Sequence, residues 1–335
     1  MQHMFKKKYH KNKKKISKNI LKLVFFVFLC IQNLEVNAQF DPQFSQYVLN
    51  PVAYNAGYAG MSGQMSVMLI ERQQLMGYEG RPRTTVVEAD MSLVLLGNLS
   101  GAGLMFLNNM IGCYNNIFIE GFVSQRYDLG EGKLGLGINL GIINMKSDVS
   151  KLKTSALGEN DYHQPSDPLV PAAEVSGTGF DIGTGAYYKT KKYFAGISIL
   201  HLFRSEPNFK NDFNMYFPRS FLFMGGYNYS LWEKPIVLKP SFMIKKSEAI
   251  WQYDLNFLVL YRERFWGGLS YRYQDAVVVM AGLELLNGLK FGYSYDIGVS
   301  SVAGKSNGSH EINIGYLFDL DIGKRNNRYK NVRFL

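Results

Sequence analysis

The side chains of this sequence alternate between apolar and polar at every second position along most of its length. Residues 289–300 show the pattern clearly, because Phe, Tyr, Ile and Val alternate there with Lys, Gly, Ser and Asp, and residues 134–142, 251–261 and 310–322 repeat it. Successive side chains of a β-strand point to opposite faces, whereas a helix would scatter these residues around its axis. The period of two therefore predicts an all-β chain.

Fourteen segments with this period are the predicted strands. They lie near residues 62–72, 84–96, 101–108, 116–127, 133–146, 177–188, 193–202, 218–230, 235–245, 250–261, 265–273, 277–286, 289–299 and 309–322. Several have the roughly 9–11 residues that a tilted strand needs to cross a bilayer. An even number of strands returns the chain to the side on which it started, as in bacterial single-chain barrels.

The connections between these segments alternate in length. The even-numbered ones are short and lie at 97–100, 128–132, 189–192, 231–234, 262–264 and 287–288. The last of them is Asn-Gly, which is a strong signal for a β-hairpin. The longest connections are all odd-numbered and lie at 73–83, 147–176, 203–217 and 300–308. Short periplasmic turns and longer extracellular loops are typical of membrane barrels.

One face of the predicted strands carries Tyr, Phe, Leu and Ile with almost no charge, and the other carries the charged and small residues. A soluble β-sandwich would also alternate, but its outward face would be charged and its inward face apolar. The chain has 22 Tyr and 33 Gly, which suits aromatic girdles and a tightly packed interior. The sequence therefore favours a transmembrane antiparallel up-and-down β-barrel of about 14 strands.

Residues 1–38 have the three parts of a secretory signal peptide. Nine lysines are followed by the apolar run 23–31 and then by a polar stretch that ends at Ala38. A small residue at that position suits the signal peptidase, so the mature chain is predicted to start at Gln39. A membrane anchor is the alternative, but a spanning helix needs about twenty apolar residues.

The basic character of the chain lies in this leader. Of 37 Lys and Arg and 27 Asp and Glu, nine and one lie in residues 1–38, which leaves 28 basic and 26 acidic residues. A nearly neutral mature chain offers no extended positive surface, so nucleic acid is excluded as a partner. The expected location is the outer membrane of a Gram-negative cell, with lipid around the barrel.

Two further segments flank the predicted barrel, which spans residues 62–322. Residues 39–61 do not alternate and are expected either on the periplasmic side or inside the lumen. Residues 323–335 are expected to form a periplasmic tail, which carries five cationic side chains.

Residues that usually carry catalysis or bind metals are sparse. His163, His201 and His310 are the histidines beyond the leader, and each is expected in a loop or an aromatic girdle. The sequence has no zinc-ligand spacing, no GxSxG nucleophile elbow and no phosphate-binding loop. We therefore predict no catalytic residue, no cofactor and no metal, and expect that the protein is not an enzyme.

Charged residues of both signs fall on the polar face of the strands. They are Glu88, Asp90, Glu120, Arg126, Lys133, Asp181, Lys239, Lys245, Asp254, Arg272, Glu284, Lys290, Asp296, Glu311 and Asp319. Their mixed signs favour a cross-linked, largely filled interior, and a polar conduit is the alternative. Glycines at strand period, such as Gly135, Gly137 and Gly141, are interpreted as room for packing in the lumen.

Three blocks of the sequence resemble one known family. They are DPQFSQYVLNP at 41–51, YNAGYAG at 54–60 and ERQQLMGYEGRPRT at 71–84. In order and spacing they resemble the PorP/SprF family of outer-membrane barrels, which is associated with type IX secretion and gliding in the Bacteroidetes. The chain departs from the family pattern at Leu75, where Trp is usual, and at Arg81, where a small residue is common.

The resemblance implies two sets of candidate partner-binding residues. The N-terminal signature is Asp41, Pro42, Gln43, Phe44, Ser45, Gln46, Tyr47, Asn50, Pro51, Asn55, Tyr58 and Gly60. The second signature, after the first strand, is Arg72, Gln73, Gly77, Gly80, Pro82, Arg83 and Thr84. Within it, Arg72 and Arg83 are expected to pair with acidic residues of a partner.

The resemblance also implies a role without catalysis. The barrel is expected to support secretion, anchoring or surface display of proteins that carry a C-terminal type IX sorting domain, and to contact the secretion machinery. A porin or a hydrophobic-ligand transporter is the alternative on the same fold. Phe44 and Tyr47 are interpreted as anchors of a docking surface for the machinery, with an internal brace as the alternative.

Overall fold

The computed structural model describes residues 41–95, 97–148, 174–209, 215–248, 250–301 and 303–318. The predicted signal peptide 1–38 and the predicted tail 323–335 lie outside the described residues. In the described part of the chain, no helix combines the length and the hydrophobicity that crossing a membrane requires.

The described residues form one closed antiparallel sheet with fourteen barrel strands. In chain order the strand segments are β1 (Met65–Gln73), β2 (Arg83–Leu95), β3 (Asn98–Ile111), β4 (Tyr114–Leu129), β5 (Gly132–Ser147), β6 (Val175–Lys189), β7 (Tyr193–Leu200), β8 (Asn208–Phe209), β9 (Ser220–Tyr227), β10 (Tyr229–Ser230), β11 (Ile236–Ser247), β12 (Ile250–Tyr261), β13 (Phe265–Arg272), β14 (Ala276–Glu284), β15 (Leu289–Gly298) and β16 (Ser309–Phe318). Segments β9 and β10 both pair with β11 and together make one barrel strand, while β8 is a short addition on β6. The predicted fold class and strand number are confirmed.

The sheet closes where the last strand meets the first. β16 pairs with β1 in antiparallel register, from Met65 opposite Phe318 to Gln73 opposite His310. Closure leaves no unpaired sheet edge in the bilayer, where an unsatisfied backbone group costs several kcal/mol.

The two ends of the barrel differ in their connections. We call one end the loop end, because the long connections 74–82, 201–219 and 299–308 lie there. The other is the turn end, with short connections such as 130–131 and 190–192. The longest described connections therefore lie at one end, as predicted, although the β3–β4 and β13–β14 connections at that end are also short.

The two faces of the sheet follow the predicted division. Leu255 is 61 % exposed and Leu269 is 57 % exposed on the outer face, as expected for side chains that meet lipid. Polar side chains of the other face, such as those of Glu120, Asp181 and Asp254, are buried inside the barrel. An apolar exterior around a polar interior is the arrangement of a membrane barrel and not of a soluble sandwich.

Ile314 gives a test of this face assignment. It lies in the middle of β16, and its side chain is 38 % exposed on the outer surface. We expect Ile314→Arg to lower the free energy of unfolding by roughly 2–4 kcal/mol, the cost of a cation near the bilayer midplane. Leu95→Arg is the control, because Leu95 is exposed at the last position of β2, near the interface. Denaturant titration of barrels folded in lipid vesicles measures both, and equal losses would contradict the assignment.

Candidate functional site

Residues 41–64, which we call the plug, pass once through the lumen. Asp41 lies at the loop end, where its carboxylate contacts His201 just beyond the end of β7. Gly60 lies toward the turn end, where its carbonyl accepts a hydrogen bond from Arg126 at 2.8 Å. The plug therefore runs from the loop end to the turn end before β1 begins at Met65. The sequence left the periplasm and the lumen open for this segment, and its described residues occupy the lumen.

Glycines of the barrel wall make room for the second half of the plug. A Cβ atom added at Gly101 would lie 1.9 Å from the carbonyl oxygen of Ala59, and one at Gly135 would lie 2.1 Å from that of Gly57. Real Cβ atoms do not approach that closely, so the plug backbone contacts the wall only because these positions lack side chains. Gly135, which was predicted to make room for packing in the lumen, makes room for the backbone of the plug.

Asn55 ties the plug to the barrel strands. Its side-chain amide donates hydrogen bonds to the carbonyl oxygens of Ala186 in β6 and Ile197 in β7, at 3.0 and 3.1 Å. Its side-chain oxygen accepts from the backbone N–H of Gly57 at 2.9 Å, which caps the short 3-10 helix Ala56–Tyr58. One amide therefore both shapes the plug and fixes it in place.

A buried ion-pair network holds the first half of the plug. Arg72 of β1 contacts Asp296 at 2.7 Å and Glu311 at 3.1 Å, and its guanidinium also donates to the Ser45 hydroxyl at 2.7 Å. Arg272 of β13 contacts Asp296 at 3.4 Å, so this carboxylate joins the two arginines. These side chains are almost completely buried, and buried charges persist only when paired and hydrogen-bonded.

Glu311 joins this network to the plug backbone. Its carboxylate accepts hydrogen bonds from the backbone N–H of Ser45 at 2.7 Å and from that of Gln46 at 3.0 Å. These two amides immediately precede the 3-10 helix Tyr47–Leu49. The network therefore fixes both the position and the local backbone of the plug.

Asp41 anchors the loop end of the plug through a second set of charges. Its carboxylate contacts His201 at 2.8 Å, Lys245 at 2.9 Å and the Ser220 hydroxyl at 3.1 Å, and Asp181 contacts the other ring nitrogen of His201 at 2.8 Å. Burial alone would raise the pKa of Asp41, but Lys245 and His201 hold that pKa well below its usual range. Burial would lower the pKa of His201, but Asp41 and Asp181 raise it to about 10. Asp41 and His201 are therefore both charged at neutral pH.

Most of the N-terminal signature is buried in the plug. Phe44 is 3 % exposed and Tyr47 is 1 % exposed, which agrees with the internal-brace alternative, while their role as anchors of a docking surface stays a prediction. Apolar area that looked too large to leave in water packs against the lumen wall instead. The other buried members are Ser45, Gln46, Asn50, Pro51, Asn55 and Gly60, and those left partly accessible are Asp41, Pro42, Gln43 and Tyr58. The partner-binding role of the signature stays a prediction.

The second signature is divided between the lumen and the loop end. Arg72 does not face a partner, because Asp296 and Glu311 inside the barrel already neutralise it. Arg83 is half exposed and contacts Glu71 of the same barrel at 2.6 Å. Gly77 and Gly80 have φ of 97° and 69°, the left-handed region that favours glycine, and both are exposed. Both arginines already pair with acids of the barrel itself, and their pairing with acids of a partner stays a prediction.

The two signatures meet in one cavity at the loop end, which we call the loop-end vestibule. Its volume is about 420 Å³. Pro42 and Gln43 contribute from the plug, and Leu75 and Pro82 from the β1–β2 connection. The buried ion-pair network forms its floor, and the half-buried side chains of Gln43 and Leu75 are accessible from it. A concave surface that joins accessible side chains to a fixed, charged floor is suited to binding a polypeptide segment.

The sequence did not identify His201 as part of the anchor. His201 was expected in a loop or a girdle, because strand periodicity would direct residue 201 outward. Its φ of 51° turns the chain after β7 and brings the imidazole into the lumen. His310, by contrast, contacts Tyr293 at 2.7 Å among the outer aromatic side chains, as a girdle residue would. Among the described residues, no group of His, Cys, Asp or Glu side chains could hold a metal ion.

The chain matches one family sequence model. Its description is "Type IX secretion system membrane protein PorP/SprF", and the match covers residues 36–316. No curated protein sequence is significantly similar to the chain.

Solved structures of membrane barrels are similar to this one at very low sequence identity. The toluene transporter TbuX of Ralstonia pickettii has 10% identity and a TM-score of 0.48, with 80% of this chain and 93% of that chain covered. The CymD monoaromatic hydrocarbon channel has 10% identity and a TM-score of 0.43, with 85% and 95% covered. The translocator domain of the autotransporter NalP from Neisseria meningitidis has 15% identity and a TM-score of 0.39, with 82% and 94% covered.

Proposed function

The chain belongs to the PorP/SprF family of type IX secretion system membrane proteins, and we propose that it is a non-enzymatic docking barrel of the outer membrane. It supports the secretion, anchoring or surface display of proteins with a C-terminal sorting domain, and it binds them at the loop-end vestibule. The observation that carries this proposal is that both signature blocks line one cavity above a plugged lumen.

Preorganisation supports docking at this cavity. The vestibule floor is fixed by Arg72, Arg272 and the carboxylates between them, and the anchor at Asp41 holds the plug from the opposite wall. A surface that is ordered before its partner arrives loses little conformational entropy on binding. The buried signature residues then act indirectly, because they hold the exposed ones in place.

The plugged lumen argues against the transporter alternative. Plug residues Tyr47, Asn55 and Ala59 are each at most 1 % exposed, so the wall and the plug are in close contact through the middle of the barrel. A porin needs a continuous polar path, and a hydrophobic-ligand transporter needs an apolar one. A steady open conductance of the wild-type protein in planar bilayers would favour the porin over the docking barrel.

Paired substitutions at the two ends test the docking site. Gln43→Ala with Leu75→Ala truncates two half-buried side chains that line the vestibule, one from the plug and one from the β1–β2 connection. We expect less cargo per folded barrel on the cell surface and in the purified complex, because truncating the side chains that line a docking site removes the contacts that the partner makes there.

The matched control removes the same residue types near the turn end. Gln64→Ala with Leu49→Ala truncates two half-buried plug side chains that line a cavity of about 280 Å³ at that end. Surface proteolysis of the cargo and immunoprecipitation of the barrel, both normalised to folded barrel, compare the two variants. If the two pairs reduce cargo display equally, or neither does, the vestibule is not the docking site.

A further inference from the structure

A second cavity at the turn end combines two lysines with aromatic side chains. This cavity, the turn-end pocket, has a volume of about 130 Å³ and lies between the plug and strands β6, β7, β9 and β11. Lys189 and Lys239 contribute the charges, and Tyr47, Tyr58, Tyr187 and Phe194 are among its walls. The plug separates this pocket from the loop-end vestibule, so the two are distinct sites.

The two half-buried lysines lack the carboxylate partners that three fully buried cations of the lumen have. Arg72, Arg272 and Lys245 each contact a carboxylate at 2.7–2.9 Å. Within the described part of the chain, neither Lys189 nor Lys239 forms an ion pair, and the pocket lining contains no carboxylate. Lys189 instead lies over the ring of Tyr58, with its amine 5.5 Å from the ring centroid. A partly buried ammonium without a counterion is unfavourable unless an anion is supplied.

The charged residues near the pocket do not neutralise the positive charge of the two lysines. Lys239 lies within electrostatic range of Lys189, Lys290 and Glu284, but Glu284 is already paired with Lys290 at 3.1 Å. Glu88 and Asp90 line an adjoining cavity of about 280 Å³, which shares Lys189 with the pocket. Their carboxylates do not line the turn-end pocket, whose charged lining residues are the two lysines.

The anchor at the loop end shows that amines of this barrel bind a carboxylate. At the loop end, Asp41 is held by a lysine, a histidine and a serine hydroxyl. The turn-end pocket offers two lysines and the Ser241 hydroxyl, a similar set of donors in less buried surroundings.

We propose that the turn-end pocket binds an aspartate or glutamate side chain of a partner polypeptide that approaches from the turn end. The proposal rests on the proposed function, because it gives the docking barrel a second contact on the side opposite the cargo. A pocket of this size admits one carboxylate side chain and leaves the remainder of the peptide at its mouth.

A peptide titration tests the site directly on the full-length wild-type barrel in detergent. The lysines are methylated with ¹³C-labelled methyl groups, which preserves their charge. The probes are a blocked Gly-Glu-Gly peptide, its Gly-Gln-Gly counterpart and inorganic phosphate. We expect saturable shifts of the Lys189 and Lys239 signals with the glutamate peptide and none with the glutamine peptide. Tighter binding of phosphate, or equal shifts of the exposed turn lysine Lys192, would overturn the proposal.

Two double variants test whether the lysines of the pocket are responsible for peptide binding. Lys189→Gln with Lys239→Gln should weaken binding of the glutamate peptide by about tenfold or more, as expected for the loss of charge-assisted hydrogen bonds. Lys191→Gln with Lys192→Gln makes the same charge change at the same end on exposed side chains, and should leave binding unchanged. Equal losses would reduce the effect to general electrostatics and refute the site. A vestibule that proves unable to bind cargo would refute the proposed function without changing the titration result.

Discussion

Replacing Arg72 with methionine is expected to destabilise the barrel by about 3–5 kcal/mol, the typical cost of removing one partner from a buried ion pair. Arg72 is 1 % exposed and contacts both Asp296 and Glu311. Without the guanidinium, two carboxylates remain buried with one fewer cation, and Glu311 loses the charge that holds it against the plug backbone. Because the plug depends on this network, we expect loss of vestibule order together with loss of stability.

Arg83→Met is the matched control for this prediction. Arg83 lies at the start of β2, and its ion pair with Glu71 is shorter, at 2.6 Å, but 52 % of its side chain is exposed. Solvent screens that pair, so its loss should cost about 0–1 kcal/mol. Arg72→Lys should recover only part of the stability, because a single ammonium cannot bridge two carboxylates and a hydroxyl as a planar guanidinium does. Denaturant midpoints in lipid vesicles rank the stabilities of the three variants. Equal losses for Arg72→Met and Arg83→Met would refute the prediction.

The strands could be predicted from the sequence because the bilayer imposes one rule on every strand. Lipid outside and charge inside force alternation, and the segment predicted at 133–146 is β5 (Gly132–Ser147) in the structure. The alternation leaves undetermined only where each strand begins and ends, and turn residues mark these points within a few positions. Residues beyond 318 lie outside the described part, so the predicted end at 322 stays a prediction.

The plug could not be predicted in the same way, because its contacts join distant parts of the chain. Ser45 binds Glu311 across 266 positions, and no local pattern encodes that pairing. The aromatic residues Phe44 and Tyr47 suggested an exposed surface only because a segment without alternation carries no signal of its own burial. His201 was missed for a related reason, since its inward direction depends on one backbone angle and not on strand period.

The largest functional change is expected from Gly101→Val, which should move the plug without removing any charge. Even the first carbon of a side chain at this position would lie 1.9 Å from the backbone oxygen of Ala59 and 2.7 Å from the Ser124 hydroxyl. Backbone cannot yield as a flexible side chain does, and overpacking of this kind costs about 1–3 kcal/mol or more. The equilibrium between seated and displaced plug should therefore shift by roughly ten- to a hundredfold, since each 1.4 kcal/mol is tenfold.

Gly121→Val separates this effect from the general cost of valine in a strand. Gly121 lies in β4, which also faces the plug, but the nearest atom to its added Cβ would be Leu104 Cδ2 at 3.7 Å, an ordinary contact. Single-channel recording should show openings of the Gly101→Val barrel and a closed Gly121→Val barrel, with both proteins still heat-modifiable. If Gly101→Val stays closed while its barrel is folded, the plug is not what closes the lumen. Openings accompanied by loss of cargo would show that one segment both seals the barrel and supports its docking surface.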